Sequence, residues 1–231
     1  MIHNLTNEHR EQFFNEGYLA FSLNEDFQNK LKSFRNRLDY KKLLFSKYDR
    51  NVEAELLING MKAQGSLHDL YELSNSIQDS DFKCSQMWMT IFDDKKWNDE
   101  VYFQEEIQQL IDFFYGEGFA KNTGMGESCY LLYTKGCRFS FHKDGGYVKV
   151  GGVDESITVS TILFYLNENW KDGYGGEIVV KKNDGEIITI EPDIGTCVML
   201  ELTKNDLEHK VNEVCEDDYL RDNLRLTLVK K

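Results

Sequence analysis

The periodicity of the chain changes near Gly126, and this change is the feature that most restricts the fold. After it come eight short extended segments rich in β-branched and aromatic residues, separated by turn residues. Asn183-Asp184-Gly185, between two of them, strongly favours a β-hairpin. The segments are residues 127–134, 138–143, 157–167, 176–182, 186–191, 196–202, 209–214 and 223–230. Eight strands after a run of helices predict an α+β protein, with a double-stranded β-helix (jelly roll) barrel braced by N-terminal helices.

The first 125 residues carry mainly helical patterns. Apolar residues at helical spacing predict helices that begin near Leu5, Ser22, Ser66 and Tyr102, and Ser22 with Glu25 is spaced as a capping box. Short strands are predicted at Tyr18 to Phe21 and Met87 to Phe92, whereas Glu53 to Ile58 suits either structure. We expect a single domain over residues 1–231, with mainly helical support in 1–125 and the jelly-roll catalytic core in 126–231.

Composition and charge narrow the class of partner. The net charge of −13 repels phosphate backbones and anionic membrane surfaces, so neither nucleic acid nor membrane is expected as a partner, whereas a cationic peptide would be attracted. No apolar run is long enough to span a membrane, and no signal peptide is visible. The five cysteines are odd in number and scattered, which favours a reduced, cytoplasmic protein.

The chemistry is expected at His142 and Asp144, which end the second predicted strand of the barrel. Residues two apart in a strand point to the same side, so the imidazole and the carboxylate can face one point. His209 opens the seventh strand, which neighbours the second strand in a jelly roll. Two His and one carboxylate on one face of a metal are the ligands of non-haem Fe(II) oxygenases. The tripeptide alone says little, because His9-Arg10-Glu11 has the same pattern.

The last predicted strand adds a cation to this site. Arg225 and Thr227 share one face, so a guanidinium and a hydroxyl can point together into the barrel. A buried arginine needs an anion, and a carboxylate matches its planar fork. A dicarboxylate such as 2-oxoglutarate would bridge the metal and Arg225. Arg221 has the same parity, and the choice between the two arginines stays open.

The C-terminal half resembles the Fe(II)- and 2-oxoglutarate-dependent oxygenases, in particular the prolyl-4-hydroxylase-like superfamily. The resemblance rests on motifs that follow the order of that family, and the first 125 residues match it only loosely. The motifs are Tyr133-x-x-Gly136, His142-x-Asp144, Thr161-Ile-Leu-Phe-Tyr165, Gly175-Gly176-Glu177, Glu191-Pro-x-x-Gly195, His209-x-Val211-x-Glu213-Val214 and Arg225-Leu-Thr227.

The resemblance implies roles for individual residues. His142, Asp144 and His209 would be the catalytic iron ligands. Arg225 would pair with the distal carboxylate of 2-oxoglutarate, and the cosubstrate pocket would also include Thr227, Tyr133 and Tyr165.

The resemblance also implies a reaction. Fe(II), 2-oxoglutarate and O2 would be the cofactors, with ascorbate as a candidate reductant. The enzyme would hydroxylate an unactivated C–H, with release of succinate and CO2. The leading substrate is a prolyl residue in a protein or peptide. Two alternatives remain, namely the same chemistry on a free amino acid or small metabolite, and a non-catalytic metal-binding jelly-roll module.

One connection is expected to control access to the metal. The segment Gly145 to Ser156 holds four glycines in twelve residues and directly follows Asp144. Glycines at both ends provide hinges, so this segment is predicted to be a mobile lid over the substrate.

Overall fold

The computed structural model of the protein describes residues 5–37, 44–48, 56–62, 85–91, 103–122, 129–144, 147–150 and 154–230. Within these residues the helices are α1 (Asn7–Glu16), α2 (Glu25–Arg35) and α3 (Gln104–Phe114). The strands are β1 (Tyr18–Ser22), β2 (Leu44–Tyr48), β3 (Leu56–Lys62), β4 (Ser85–Ile91), β5 (Phe119–Lys121), β6 (Cys129–Tyr133), β7 (Phe139–His142), β8 (Tyr147–Val150), β9 (Asp154–Tyr165), β10 (Ile178–Lys181), β11 (Ile187–Ile190), β12 (Thr196–Glu201), β13 (Glu208–Val211) and β14 (Arg221–Lys230).

The strands form two antiparallel sheets. The larger sheet has the order β1-β12-β9-β14-β6-β4-β2-β3, with β5 also paired to β14 and β8 to β9. The smaller sheet has the order β11-β10-β13-β7. In the smaller sheet β10 and β11 form a hairpin, whereas β13 pairs with β10 and with β7, which are distant in sequence, as in the crossed connections of a jelly roll. All eight predicted strands are present, which confirms the predicted fold class.

The first 125 residues contribute more strand than their sequence pattern indicates. The described residues of this part form five strands, β1 to β5, and β2, β3 and β4 extend the larger sheet beyond β6. Glu53 to Ile58, which suited helix or strand, contains the start of β3. A short apolar run of this kind is compatible with a helix or a strand, because the presence of a partner strand determines which one forms. The helix predicted from Ser66 lies outside the described residues.

The three helices pack their aromatic residues against the larger sheet. Phe13 of α1 meets Phe114 of α3 with 5.0 Å between ring centroids, and Phe27 of α2 meets Phe164 of β9 at 5.2 Å. Both contacts are edge-to-face, the geometry that aromatic quadrupoles favour. All four rings are essentially buried, so these aromatic residues form part of the core.

The start of α2 differs from the predicted capping box. Ser22 belongs to β1, and the helix begins at Glu25 after Asn24. The Asn24 side chain accepts a hydrogen bond of 2.8 Å from the Phe27 backbone amide and is therefore the N-cap. Separately, no helix in the described ranges is long and apolar enough to cross a membrane.

The segment predicted as a lid contains regular structure. Its described residues include β8, which pairs antiparallel with the start of β9. Tyr147 lies opposite Ile157, and Val150 lies opposite Asp154. The described residues of the segment therefore lie on two paired strands of the larger sheet, and its role as a lid stays a prediction.

A buried ion pair joins α2 to β14. Arg35 Nε donates a 2.7 Å hydrogen bond to Oδ2 of the fully buried Asp222, and Tyr130 Oη donates to the same oxygen at 2.8 Å. Burial raises the pKa of Asp222, and the Arg35 guanidinium opposes this rise. Arg35 therefore stabilises the negative charge of the buried Asp222 carboxylate.

Replacing Arg35 by methionine should destabilise the protein by about 2–4 kcal/mol at neutral pH, because Asp222 is left buried without its cation. The pKa of Asp222 then rises further, so the loss is full above the variant's folded pKa. It disappears at low pH, where the carboxyl is protonated in both proteins. Urea unfolding at neutral and acidic pH measures the difference. Asp222→Asn in the Arg35→Met background is the matched control and should recover stability. An equal loss at both pH values would contradict this account.

Candidate active site

His142 and His209 are brought together by the smaller sheet. β7 and β13 pair antiparallel, and their register places His142 directly opposite His209. The ring centroids are 4.1 Å apart. The prediction that these two strands are neighbours is confirmed, and the histidines therefore stand on a paired β-ladder rather than on separate loops.

Backbone carbonyls orient both imidazoles. His142 Nδ1 lies 2.9 Å from the Ser140 carbonyl oxygen, and His209 Nδ1 lies 3.0 Å from that of Leu207. A carbonyl can only accept a hydrogen bond, so each Nδ1 carries a proton. In the neutral imidazole, Nε2 then has the lone pair that can bind a metal. A neutral imidazole fixed in this way is the usual form of a histidine that binds a metal.

Asp144 completes the cluster two residues after His142. Its Oδ1 lies 3.3 Å from His142 Nε2 and 3.8 Å from His209 Nε2. One donor atom from each of the three residues lies within 4.8 Å of the others. Burial would raise the pKa of Asp144, but Arg225, His209 and the Thr161 hydroxyl together hold it below its ordinary value. The carboxyl is therefore an anion, as metal binding requires.

Arg221 forms a second cluster of side chains, separate from the His142, Asp144 and His209 cluster, together with two of the predicted pocket residues. Its guanidinium lies over the Tyr133 ring at 4.4 Å and over the Tyr165 ring at 5.1 Å. Nε donates to the Gly176 carbonyl at 3.1 Å, and the other nitrogens approach Asn223 and the Tyr165 hydroxyl. Arg221 is 1% exposed, yet it makes no ion pair with a carboxylate of the described residues. A cation buried in this way favours the binding of an anion.

The glycine pair that precedes β10 makes room for Arg221 and for the backbone of Glu213. Gly176 has a φ of +81°, and a Cβ placed there would lie 2.8 Å from Arg221 Cγ. Gly175 has a φ of +74°, and its Cβ would lie 1.9 Å from the Glu213 carbonyl oxygen. Any other residue would clash and would need the left-handed conformation that glycine alone adopts readily. Gly176 is thus explained by the position of the arginine, and Gly175 by the close approach of the Glu213 backbone.

Arg225, which the sequence motifs imply as the cosubstrate anchor, lies beside Asp144. It lies opposite Leu163 of β9, and its Nη2 is 3.7 Å from Asp144 Oδ2. Thr227 is buried and lies opposite Thr161. Tyr133 and Tyr165 contact Arg221, so the contacts of the predicted pocket favour Arg221 over Arg225.

Two residues of the site were missed by sequence reasoning. Thr161 Oγ1 donates a 2.6 Å hydrogen bond to Asp144 Oδ2, and Asn223 accepts a hydrogen bond from Arg221. Both share strand parity with predicted residues, since Thr161 is four residues before Tyr165 and Asn223 lies between the two arginines. The alternation of the strands would have identified them.

The donor set suits a divalent iron ion. Two neutral imidazole nitrogens and one carboxylate on the same side of a metal form the facial triad, which leaves the opposite positions open. Structural zinc sites are instead closed by four protein ligands, and the described residues supply three here. This triad, set in two antiparallel sheets of a jelly-roll type, defines a metal-dependent oxygenase.

Comparison with known proteins identifies the family. Residues 128–229 match the family described as the 2OG-Fe(II) oxygenase superfamily, a range that includes the triad and both arginines. This part of the chain is therefore a 2OG-Fe(II) oxygenase domain, and the protein is a 2-oxoglutarate-dependent dioxygenase that uses Fe(II), 2-oxoglutarate and O2. The resemblance found in the sequence motifs is confirmed. No curated protein sequence matches the chain.

Solved structures share the fold. A prolyl-4-hydroxylase from Pseudomonas putida aligns with a TM-score of 0.58 at 14% identity, over 97% of this chain and 98% of that one. A prolyl hydroxylase from Trichoplax adhaerens, in complex with a hypoxia inducible factor peptide fragment, gives 0.60 at 15% identity, over 97% and 88%. A viral collagen prolyl hydroxylase from Paramecium Bursaria Chlorella virus-1, in complex with 2OG, gives 0.56 at 13% identity, over 94% and 98%. These similarities establish the jelly-roll-like architecture.

Proposed function

We propose that the enzyme hydroxylates an unactivated C–H of a prolyl residue in a protein or peptide, with release of succinate and CO2. The observation that carries the cosubstrate assignment is the buried Arg221 guanidinium, which stands between Tyr133 and Tyr165 without a carboxylate partner among the described residues. The prolyl substrate is supported by the solved structures of similar fold, several of which are prolyl hydroxylases.

In this proposal, His142, Asp144 and His209 hold Fe(II), and Arg221 binds the distal carboxylate of 2-oxoglutarate. The bound iron would supply the oxidation of 2-oxoglutarate and of the substrate C–H by O2. The planar fork of Arg221 gives the carboxylate two parallel donors, while the Tyr133 ring beneath it fixes the plane of the guanidinium. Burial of the arginine keeps water away from this pair and strengthens it.

A second substrate class has its own support. Arg225 lies beside the triad, and its side chain is 24% exposed, so a partly exposed guanidinium stands near the metal ligands. Such a cation would attract the carboxylate of a free amino acid or other small metabolite. The protein or peptide substrate is favoured because the net charge of −13 would attract cationic chains.

The two substrate classes can be separated by one experiment. The enzyme is incubated with Fe(II), 2-oxoglutarate, ascorbate and O2, and succinate is measured with either proline-containing peptides or free amino acids. We expect peptides alone to stimulate succinate formation, and mass spectrometry to find one added oxygen on proline. Stimulation by free amino acids but not by peptides would favour the small-metabolite reading. A protein that binds metal and never consumes 2-oxoglutarate would instead be a binding module.

A further inference from the structure

The two oxygens of Asp144 have different surroundings. Oδ1 faces the histidines, at 3.3 Å from His142 Nε2 and 3.8 Å from His209 Nε2. Oδ2 faces away from them, towards Thr161 Oγ1 at 2.6 Å and Arg225 Nη2 at 3.7 Å. The first of these contacts is a short hydrogen bond to a charged acceptor, and the second is an ion pair. One oxygen is thus directed at the metal position while the other is held by protein groups.

The two groups that hold Oδ2 stand on the most extensively paired strands of the larger sheet. Thr161 is in β9 and Arg225 is in β14, and the register places Thr161 opposite Thr227 and Leu163 opposite Arg225. The hydroxyl and the guanidinium are therefore diagonal neighbours on one face of adjacent strands, within reach of a shared partner. Asp144 itself follows the end of β7, outside any strand. The sheet supplies a rigid support for a carboxylate on a connection.

The geometry points to a positioning function: Thr161 and Arg225 hold Oδ2 so that Asp144 offers only Oδ1 to the metal. This inference rests on the proposed function, because it assumes that the triad binds iron. A carboxylate can bind a metal through one oxygen or through both. An octahedral ion with two histidines and one carboxylate oxygen retains about three open positions. A second carboxylate oxygen would occupy one of these positions and leave too few for the cosubstrate and O2 together.

Thr161 and Arg225 contribute in different ways. The Thr161 hydroxyl is neutral and buried, so its hydrogen bond fixes the direction of Oδ2 without adding a charge. The Arg225 guanidinium also attracts negative charge towards Oδ2, which disfavours rotation of that oxygen onto the metal. Outer partners of metal ligands typically change metal affinity or activity by about 10- to 100-fold when removed. Removing either contact should therefore change the affinity of the site for a metal ion.

The test uses Mn(II) as the probe and counts its bound water molecules by water-proton relaxation, in the protein without 2-oxoglutarate. Wild type should retain about three waters on the metal. The double variant Thr161→Val/Arg225→Met should retain about two, because Asp144 can then bind through both oxygens. Thr161→Ser and Arg225→Lys keep a hydroxyl and a charge and should restore the wild-type count. Arg138→Met is the matched control, since Arg138 pairs with Glu213 outside the triad at 2.7 Å.

The outcomes are separable. An unchanged water count in the double variant, with an unchanged Mn(II) dissociation constant, overturns the positioning function. Failure of the wild type to bind Mn(II) would instead refute the iron site itself. If the double variant does not fold, Thr161→Val alone carries the test, because it replaces a hydroxyl by a methyl group of similar size. In that variant an unchanged water count and an unchanged affinity would again overturn the inference.

Discussion

Replacing Arg221 by methionine should weaken 2-oxoglutarate binding by roughly 10²- to 10³-fold at saturating Mn(II). A buried charged pair that loses one partner typically costs about 3–5 kcal/mol, and each 1.4 kcal/mol is about tenfold in affinity. Methionine keeps much of the volume between Tyr133 and Tyr165, so the pocket should remain filled. Isothermal titration of the Mn(II)-loaded protein with 2-oxoglutarate measures the loss directly.

Thermal melting separates a binding defect from a folding defect. In the wild type, 2-oxoglutarate should raise the melting temperature, because a ligand that binds only the folded state stabilises it by mass action. The Arg221→Met protein should melt cooperatively without ligand and should lose this ligand-dependent rise. Arg138→Met, a surface arginine paired with Glu213, is the control and should behave as wild type. If Arg225→Met abolished the rise and Arg221→Met did not, Arg225 would be the anchor, as the sequence motifs imply.

Much of the fold was predictable because its signals are local. The eight strands after Gly126 show alternation and turn residues within each segment, and all eight are present. Two ligands of the triad were predictable for the same reason, since His142 and Asp144 are two residues apart. His209 is distant in sequence and was predictable only because the strand order of a jelly roll places it beside them. Strands β2 and β3 were harder to predict. Their short apolar runs become strands only through partners such as β4, which are distant in sequence.

The choice between the two arginines shows what the alternation of residues along a strand cannot predict. Arg221, Asn223, Arg225 and Thr227 all lie on the same face of β14, so alternation cannot rank them. Their distances from the triad depend on which residues of β6 and β9 lie opposite. Arg221 is opposite Tyr133, whereas Arg225 is opposite Cys129 and Leu163. That register is set by tertiary pairing, and it places one arginine among the tyrosines and the other beside Asp144.

Gly175 and Gly176 illustrate a second limit. The sequence marks them as a turn before a strand, which is what a glycine pair usually indicates. Their positive φ angles agree with a turn, but the close approach of Arg221 Cγ to Gly176 is a tertiary contact. A glycine that is needed because an arginine passes beside it cannot be distinguished, in one sequence, from a glycine that only bends the chain.

Replacing Asp144 by alanine should weaken metal binding more than replacing His142 by alanine. Each change removes one of three protein ligands, and we expect losses of at least about 100-fold, the upper end for outer partners. Asp144 is also the only anion of the triad, and its Oδ2 lies 3.7 Å from Arg225. Without the carboxylate, the guanidinium would face the incoming dication directly. Mn(II) binding, followed by the electron paramagnetic resonance of the free ion, measures both variants.

The repulsion predicts a partial rescue. Adding Arg225→Met to Asp144→Ala removes the positive charge, so the double variant should bind Mn(II) more tightly than Asp144→Ala alone. Residues in direct contact typically show such non-additivity, of about 0.5–3 kcal/mol. In the His142→Ala background Asp144 remains to face the guanidinium, so Arg225→Met should bring no comparable gain there. If Asp144→Ala kept wild-type metal affinity, Asp144 would not be a ligand. If the rescue were equal in both backgrounds, the effect of Arg225 would come from its charge near the metal rather than from its contact with Asp144.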